Sequence, residues 1–248
     1  TGAPTVDGEN VYVTSSNNEL YALRIADGEI LWSDQAIAEN ARVLSAPSPA
    51  LGGDLLITPF SSGEIIAYLP ANGRRVWSDS LTRGGKFTPI SAINDIAGRP
   101  VVSDGAVIAV SQSGIMASVD LMSGTRRWSK AFGSIQTPAV VGSYVFAVNT
   151  DSQLVCLDKI DGRVVWVTQL DAYKNEKKRK NKIVWSGPVM ASGKVVAVSS
   201  EGQLISVDAQ TGDITDTLKI GEPVYIEPIV ANGRIYLLTD SGKLVAVR

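Results

Sequence analysis

The sequence predicts an all-β protein, a β-propeller of four-stranded antiparallel blades, and three observations carry that reading. One pattern is written six times, opening at Pro4, Pro49, Pro100, Pro138, Pro188 and Pro228. A repeat of roughly 40 to 50 residues made of short apolar strands marks a radial array of sheets rather than a two-layer domain. The strands are separated by Gly-rich turns, and four copies carry Gly-x-x-x-Trp, at Gly28 to Trp32, Gly73 to Trp77, Gly124 to Trp128 and Gly162 to Trp166.

The blades are placed at about 1–34, 45–80, 97–131, 135–170, 185–220 and 225–248, within one domain spanning 1–248. In each, the recurring Pro opens the first strand, where a missing N–H is tolerated. A tight hairpin follows at Gly8, Gly53, Gly105, Gly142, Gly193 or Gly233, positions where φ > 0 costs Gly little. The second and third strands are continuous apolar runs, such as Leu55-Leu56-Ile57 and Ile65-Ile66-Ala67, as expected of strands buried on both faces. Asp27-Gly28, Asn72-Gly73, Ser123-Gly124, Asp161-Gly162 and Thr211-Gly212 then turn the chain into the fourth strand. The sixth blade ends at Leu244 to Arg248, after its third strand.

Trp32, Trp77, Trp128 and Trp166 stand at one register of the fourth strand and are expected to dock neighbouring blades, each burying roughly 150–250 Å². An aromatic platform for a ligand is disfavoured because the rings are spread one per blade. The fifth blade has Asp216 at this place, so its docking should be looser. Another repeat position holds Ala22, Ala67, Ser118, Cys156, Ser206 and Ala246. A slot that accepts only small residues makes the lone Cys156 core filler rather than a reactive thiol.

With 44% hydrophobic residues, 19% charged and a net charge of -2, the chain has ample core and no polyanion-binding signature. The absence of His removes the commonest general base and metal ligand. The single Cys leaves no pair for zinc or an internal disulfide. Asp120, Asp158 and Asp208 recur after the third strand, which points to turn capping rather than a clustered cation cage. A non-enzymatic protein without a cofactor is the expectation.

The Gly-x-x-x-Trp repeat is that of the quinoprotein-type propellers. Within it the chain resembles the BamB-like outer-membrane assembly lipoproteins, over Ser45-Ala46-Pro47, Val141-Gly142, Glu227 to Tyr236 and the ending Leu244 to Arg248. The resemblance implies an eight-bladed ring on the periplasmic face of the outer membrane in a Gram-negative bacterium. Two blades, a closing strand, a signal peptide and a lipidated Cys would then precede residue 1. It implies a scaffold that binds the periplasmic domains of a BamA-like barrel insertase, and open blade rims could also receive unfolded outer-membrane proteins. A fragment of a quinone-dependent dehydrogenase, or an unrelated interaction propeller, is the alternative.

Two inter-blade loops would carry the contact. The family's Leu-x-Leu-Arg element falls on Glu39-Asn40-Ala41-Arg42, keeping Arg42 while Glu39 and Ala41 replace the leucines. Its Asp-x-Asp element falls on Asp95-Ile96-Ala97, keeping Asp95 and losing the second Asp to Ala97. Leu44, Ile93 and Ile96 would supply the missing apolar area, and the bland reading is that Arg42 and Asp95 are solvated loop charges. Between the fourth and fifth blades lie Lys174, Lys177, Lys178, Arg179, Lys180 and Lys182. Such density predicts an extended, solvated loop, with a patch for anionic lipid or a partner as the other reading. Nucleic acid is not expected.

Overall fold

The computed structural model describes residues 2–36, 47–82 and 95–248, which fall into two compact units, 1–137 and 138–248. In the first unit, β1 (Thr5–Val6), β2 (Asn10–Thr14), β3 (Glu19–Arg24) and β4 (Ile30–Gln35) form one antiparallel sheet in sequence order. β5 (Ala50–Gly52), β6 (Leu55–Pro59), β7 (Glu64–Tyr68) and β8 (Arg75–Ser80) form the second. β9 (Val101–Ser103), β10 (Ala106–Val110), β11 (Ile115–Asp120) and β12 (Arg126–Ala131) form the third.

The second unit repeats the plan with β13 (Ala139–Val141), β14 (Tyr144–Val148), β15 (Gln153–Asp158) and β16 (Val164–Gln169). A separate two-stranded sheet, β17 (Tyr173–Asn175) with β18 (Lys180–Lys182), follows. Then come the fifth blade, β19 (Trp185–Ala191), β20 (Lys194–Ser199), β21 (Gln203–Asp208) and β22 (Ile214–Lys219), and a three-stranded sheet of β23 (Ile229–Ala231), β24 (Arg234–Leu238) and β25 (Leu244–Val247). Meandering four-stranded sheets with every neighbour antiparallel are propeller blades. Pro188 departs from the expected pattern: it lies inside β19, at the irregularity between Ser186 and Val189, where a ladder N–H is not required.

The middle strands supply the cores. β6, β10 and most of β14 and β20 are buried residue after residue, as strands covered on both faces must be. Leu55, Ile57, Ile65 and Leu81 of the second blade pack with Val107, Ala117 and Val119 of the third. The sixth sheet departs from this, because β25 alternates between exposed and half-buried residues.

The register explains the small-residue slot. Ala22 lies opposite Trp32, Ala67 opposite Trp77, Ser118 opposite Trp128 and Cys156 opposite Trp166, with Ser206 opposite Asp216. Each pairing ends at a bulge one residue later, which turns the outer strand and aims the indole. Cys156 is fully buried beneath Trp166, and burial, with the Asp158 carboxylate nearby, pushes its thiol up to about 12. It is a packing atom and not a nucleophile.

The indoles reach into the next blade. Trp32 Nε1 donates to Pro70 O at 2.7 Å, Trp77 Nε1 to Leu121 O at 2.8 Å and Trp166 Nε1 to Ala209 O at 3.1 Å. Each ring rests on the turn glycine of that blade. A Cβ on Gly73, Gly124 or Gly212 would stand 2.6 to 2.7 Å from the Trp32, Trp77 or Trp166 ring. These glycines also hold φ of +69°, +73° and +81°, so the turn needs Gly for its backbone and for the neighbour's indole. Trp128 is itself 7% exposed.

Candidate functional site: the inter-blade connections

Each fourth strand ends on one recurring bond. Ala36 N donates to Asn18 O, Leu81 N to Gly63 O, Phe132 N to Gly114 O, Leu170 N to Ser152 O and Ile220 N to Gly202 O. The acceptor is always in the turn between the second and third strands, so every inter-blade connection departs from that end of its blade. The connections 36–49 and 81–100 are longer than 132–138 and 220–228, and they leave adjacent blades at corresponding places.

Both are rooted firmly. Ala36 is buried, and where the first connection returns, Pro47 O accepts from Thr14 Oγ1 and Pro49 O from Thr5 Oγ1, each at 2.6 Å. Leu81 at the start of the second is fully buried, and its carbonyl accepts from Ser111 Oγ at 2.8 Å and Ser113 Oγ at 3.2 Å. On the return, Asp95 O accepts from Gln112 N at 2.9 Å. Gly98 passes so close to Gln136 that an added Cβ would meet its carbonyl oxygen at 2.5 Å. The described ends of both connections, at Ala36, Pro47, Leu81 and Asp95, are thus held against the sheets.

The nominated residues divide sharply. Glu39, Ala41, Arg42, Leu44 and Ile93 lie outside the described residues. Asp95 and Ile96 are described, and both are fully buried. Ile96 belongs to the core of the second and third blades, with Leu81, Val107 and Val119. The expectation that Asp95 and Ile96 present themselves as loop-tip contacts is therefore corrected: the segment has already returned to the wall of the sheet, and burial leaves them no surface to offer. Ala97 is half-buried.

Beside the stems, cross-blade ion pairs stiffen the outer strands. Asp34 accepts from Arg75 Nε and from the Tyr68 hydroxyl, both at 2.7 Å. Partial burial works against the Asp34 charge, but Arg75 and Tyr68 hold its carboxyl below the ordinary value. One blade on, Arg126 grips both Asp79 oxygens, at 2.7 and 2.9 Å, and the Ser80 carbonyl. Sequence reasoning passed over these pairs, although Asp34 and Asp79 stand two residues past the repeat Trp and Arg75 and Arg126 two past the repeat Gly.

Asp120, Asp158 and Asp208 each accept backbone N–H groups two and three residues on, from Met122 and Ser123, Ile160 and Asp161, and Gln210 and Thr211. They are turn caps, as their recurrence predicts. Arg127 is the first cause that holds the Asp120 carboxyl far below the carboxylate range. Among the described residues, no three His, Cys, Asp or Glu side chains gather as a metal site.

The basic segment also differs from expectation. It is an ordered hairpin, β17 and β18 joined by a single 3-10 turn at Glu176–Lys178. Glu176 Oε1 accepts from Ala172 N and Tyr173 N, Asn175 Oδ1 caps Lys178 N, and the Arg179 guanidinium lies 5.5 Å from the Tyr173 ring centroid. Its base is bolted down by buried Leu170, Ile183 and Trp185, with Trp185 Nε1 donating to Asp171 O at 2.9 Å. The apolar pair Ile183 and Trp185, two apart after the lysines, was the overlooked signal for an anchored strand.

The comparisons with known proteins agree with this architecture. The family model described as "Outer membrane protein assembly factor BamB" matches residues 1–168 and 172–248. The outer membrane protein assembly factor BamB of Moranella endobia is 24% identical over 244 residues, 98% of this chain and 61% of that relative. The chain thus spans under two thirds of that relative's length. The crystal structure of BamB from Moraxella catarrhalis superposes with a TM-score of 0.86 at 21% identity, covering 98% of this chain and 70% of that one. A quinohemoprotein alcohol dehydrogenase from Pseudomonas putida shares the fold more distantly, with a TM-score of 0.68 at 15% identity over 90% of this chain and 42% of its own.

Proposed function

Because the chain belongs to the outer membrane protein assembly factor BamB family, we propose that it is a non-enzymatic scaffold of the outer-membrane β-barrel assembly machinery. It docks the periplasmic domains of a BamA-like barrel insertase and so aids the insertion of outer-membrane proteins. It works at the periplasmic face of the outer membrane, peripheral to it. The observation that carries this reading is the family match along nearly the whole chain. The buried roots of the connections 36–49 and 81–100, at Ala36 and Leu81, support placing the contact there, because attachment points that are already ordered lose little freedom on binding.

Within those loops the contact falls to Arg42, Glu39, Ala41, Leu44 and Ile93, with Ala97 at the margin. An Arg rimmed by apolar side chains is the composition of an interface hot spot. Asp95 and Ile96 act one step back, holding the stem of the second loop. Blade rims offer unfolded outer-membrane proteins a strand to pair with.

The test is a calorimetric titration of this protein with the soluble periplasmic domains of the barrel insertase, comparing wild type with Arg42→Glu and Ile93→Asp. Saturable binding that either change abolishes, with the unfolding midpoint kept, supports the loops as the interface. Binding untouched by both moves the site elsewhere on the blades. No binding by the folded wild type refutes docking through this chain.

A further inference from the structure

The hairpin 173–182 is the most polarised feature of the molecule. Its six cations against Glu176 give 174–182 a charge of +5, whereas the other residues carry -7 of the overall -2. Three of its cations are engaged: Lys174 pairs with Glu201 at 2.8 Å, Lys182 Nζ donates to Thr150 O at 2.8 Å and Arg179 covers Tyr173. Lys177, Lys178 and Lys180 are exposed, and no ion pair holds them among the described residues. They crowd the 3-10 turn and the start of β18, at the far end of a hairpin whose base is buried.

We propose that this hairpin is a landing site for an anionic phospholipid surface. The proposal goes beyond the docking reading above and does not depend on it. Three considerations select a bilayer over an acidic protein. The free cations are all lysines, compact point charges that suit a diffuse array of phosphates, whereas recognition of a fixed carboxylate favours the planar fork of Arg. No large apolar side chain stands at the turn to anchor a protein interface. The remainder of the molecule is acidic and would be repelled by the same surface, so a single cationic projection sets the orientation of approach.

The hairpin is already ordered by the Glu176, Asn175 and Tyr173 contacts, so contact with lipid need not fold it. Each lysine close to an anionic surface strengthens partitioning roughly fivefold at low salt, and three together on the order of a hundredfold. That is a weak, reversible membrane contact and not an anchor on its own.

The experiment is sedimentation of the full chain with vesicles of mixed phosphatidylglycerol and phosphatidylcholine, and with vesicles of phosphatidylcholine alone. The variants are a triple Lys177→Gln, Lys178→Gln, Lys180→Gln and a control triple, Arg163→Gln, Lys219→Gln, Arg234→Gln, which removes equal charge from exposed sites elsewhere. Expected is binding to the anionic vesicles alone, weakened on the order of a hundredfold by the hairpin triple, little changed by the control, and lost at high salt. The proposal is overturned if folded wild type does not distinguish the two vesicles, or if both triples weaken binding equally. Retention on immobilised polyglutamate without vesicle binding also overturns it, in favour of an acidic protein partner.

Discussion

Replacing Gly124 with Ala tests whether the repeat glycine is a turn residue alone or also the seat of the neighbouring indole. Two costs are separable. Gly124 sits at φ +73°, and a side chain in the left-handed region costs about 1–2 kcal/mol. The new Cβ would also lie 2.7 Å from Trp77 Cγ and 2.8 Å from Trp77 Cβ, where carbon atoms prefer about 3.5–4.0 Å. The indole must retreat by about 1 Å, which strains the packing at about 1–3 kcal/mol and loosens the 2.8 Å bond from Trp77 Nε1 to Leu121 O. The combined loss is about 2–5 kcal/mol. Gly28 provides the control within the same unit: it occupies the same turn of its blade at φ +75°, and a Cβ there meets nothing within 4 Å. Gly28→Ala should cost only the backbone part, about 1–2 kcal/mol. Equilibrium urea unfolding followed by far-ultraviolet circular dichroism measures both, and Gly124→Ala should be repeated in a Trp77→Ala background. There the excess should vanish, because no ring remains to collide with. Equal losses for the two alanines, or an excess that survives without Trp77, would refute the seating argument.

The fifth blade offers a comparison at one register. Trp166→Ala should cost about 3 kcal/mol, since it removes an indole packed on Gly212 and Phe146. Asp216→Ala breaks an exposed pair with Lys194 and an exposed 3.3 Å bond from Thr215 Oγ1, so its denaturation midpoint should hardly move. Equal shifts would show that the indole does not carry the docking. A third prediction concerns alkaline stability. The Cys156 thiol has an ordinary value of 9.0 and is pushed up to about 12 in the fold, first by burial and then by Asp158. Between pH 9 and 12 the unfolded chain releases a proton that the native chain retains, so stability falls as pH rises through that window. Cys156→Ala should flatten this part of the pH profile in urea titrations. An unchanged slope would mean that the thiol titrates freely in the native state.

Much of the fold was readable in advance because a propeller repeats its physics. Six alignable copies show which positions demand Gly, small residues or Trp, and each demand has a steric cause. The contacts between copies were harder to read. Ala22, Ala67 and Cys156 look like core filler until the register sets each beneath an indole, and Asp34 with Arg75 looks like two surface charges until adjacent outer strands are placed side by side. Periodicity within one strand carries no information about a partner 41 residues away.

The inter-blade connections are least legible for the converse reason. They are the parts of the repeat that do not repeat, so no second copy reveals which residues belong to the stem and which to the tip. Asp95 illustrates the difficulty: its charge and loop position suggest solvent, yet it is two residues from Ala97 and directly beside Ile96, where the chain has already rejoined the core. The basic hairpin misled in the same direction. A count of like charges predicts an extended segment, but Ile183 and Trp185 bury its base, and one carboxylate, Glu176, gathers two backbone amides. Local anchoring thus outweighs like-charge repulsion, because exposed lysines repel one another weakly in water while a buried indole and two charge-assisted bonds each contribute about 1 kcal/mol or more. The same balance suits the hairpin to binding: a base ordered by burial carries Lys177, Lys178 and Lys180 exposed at its far end.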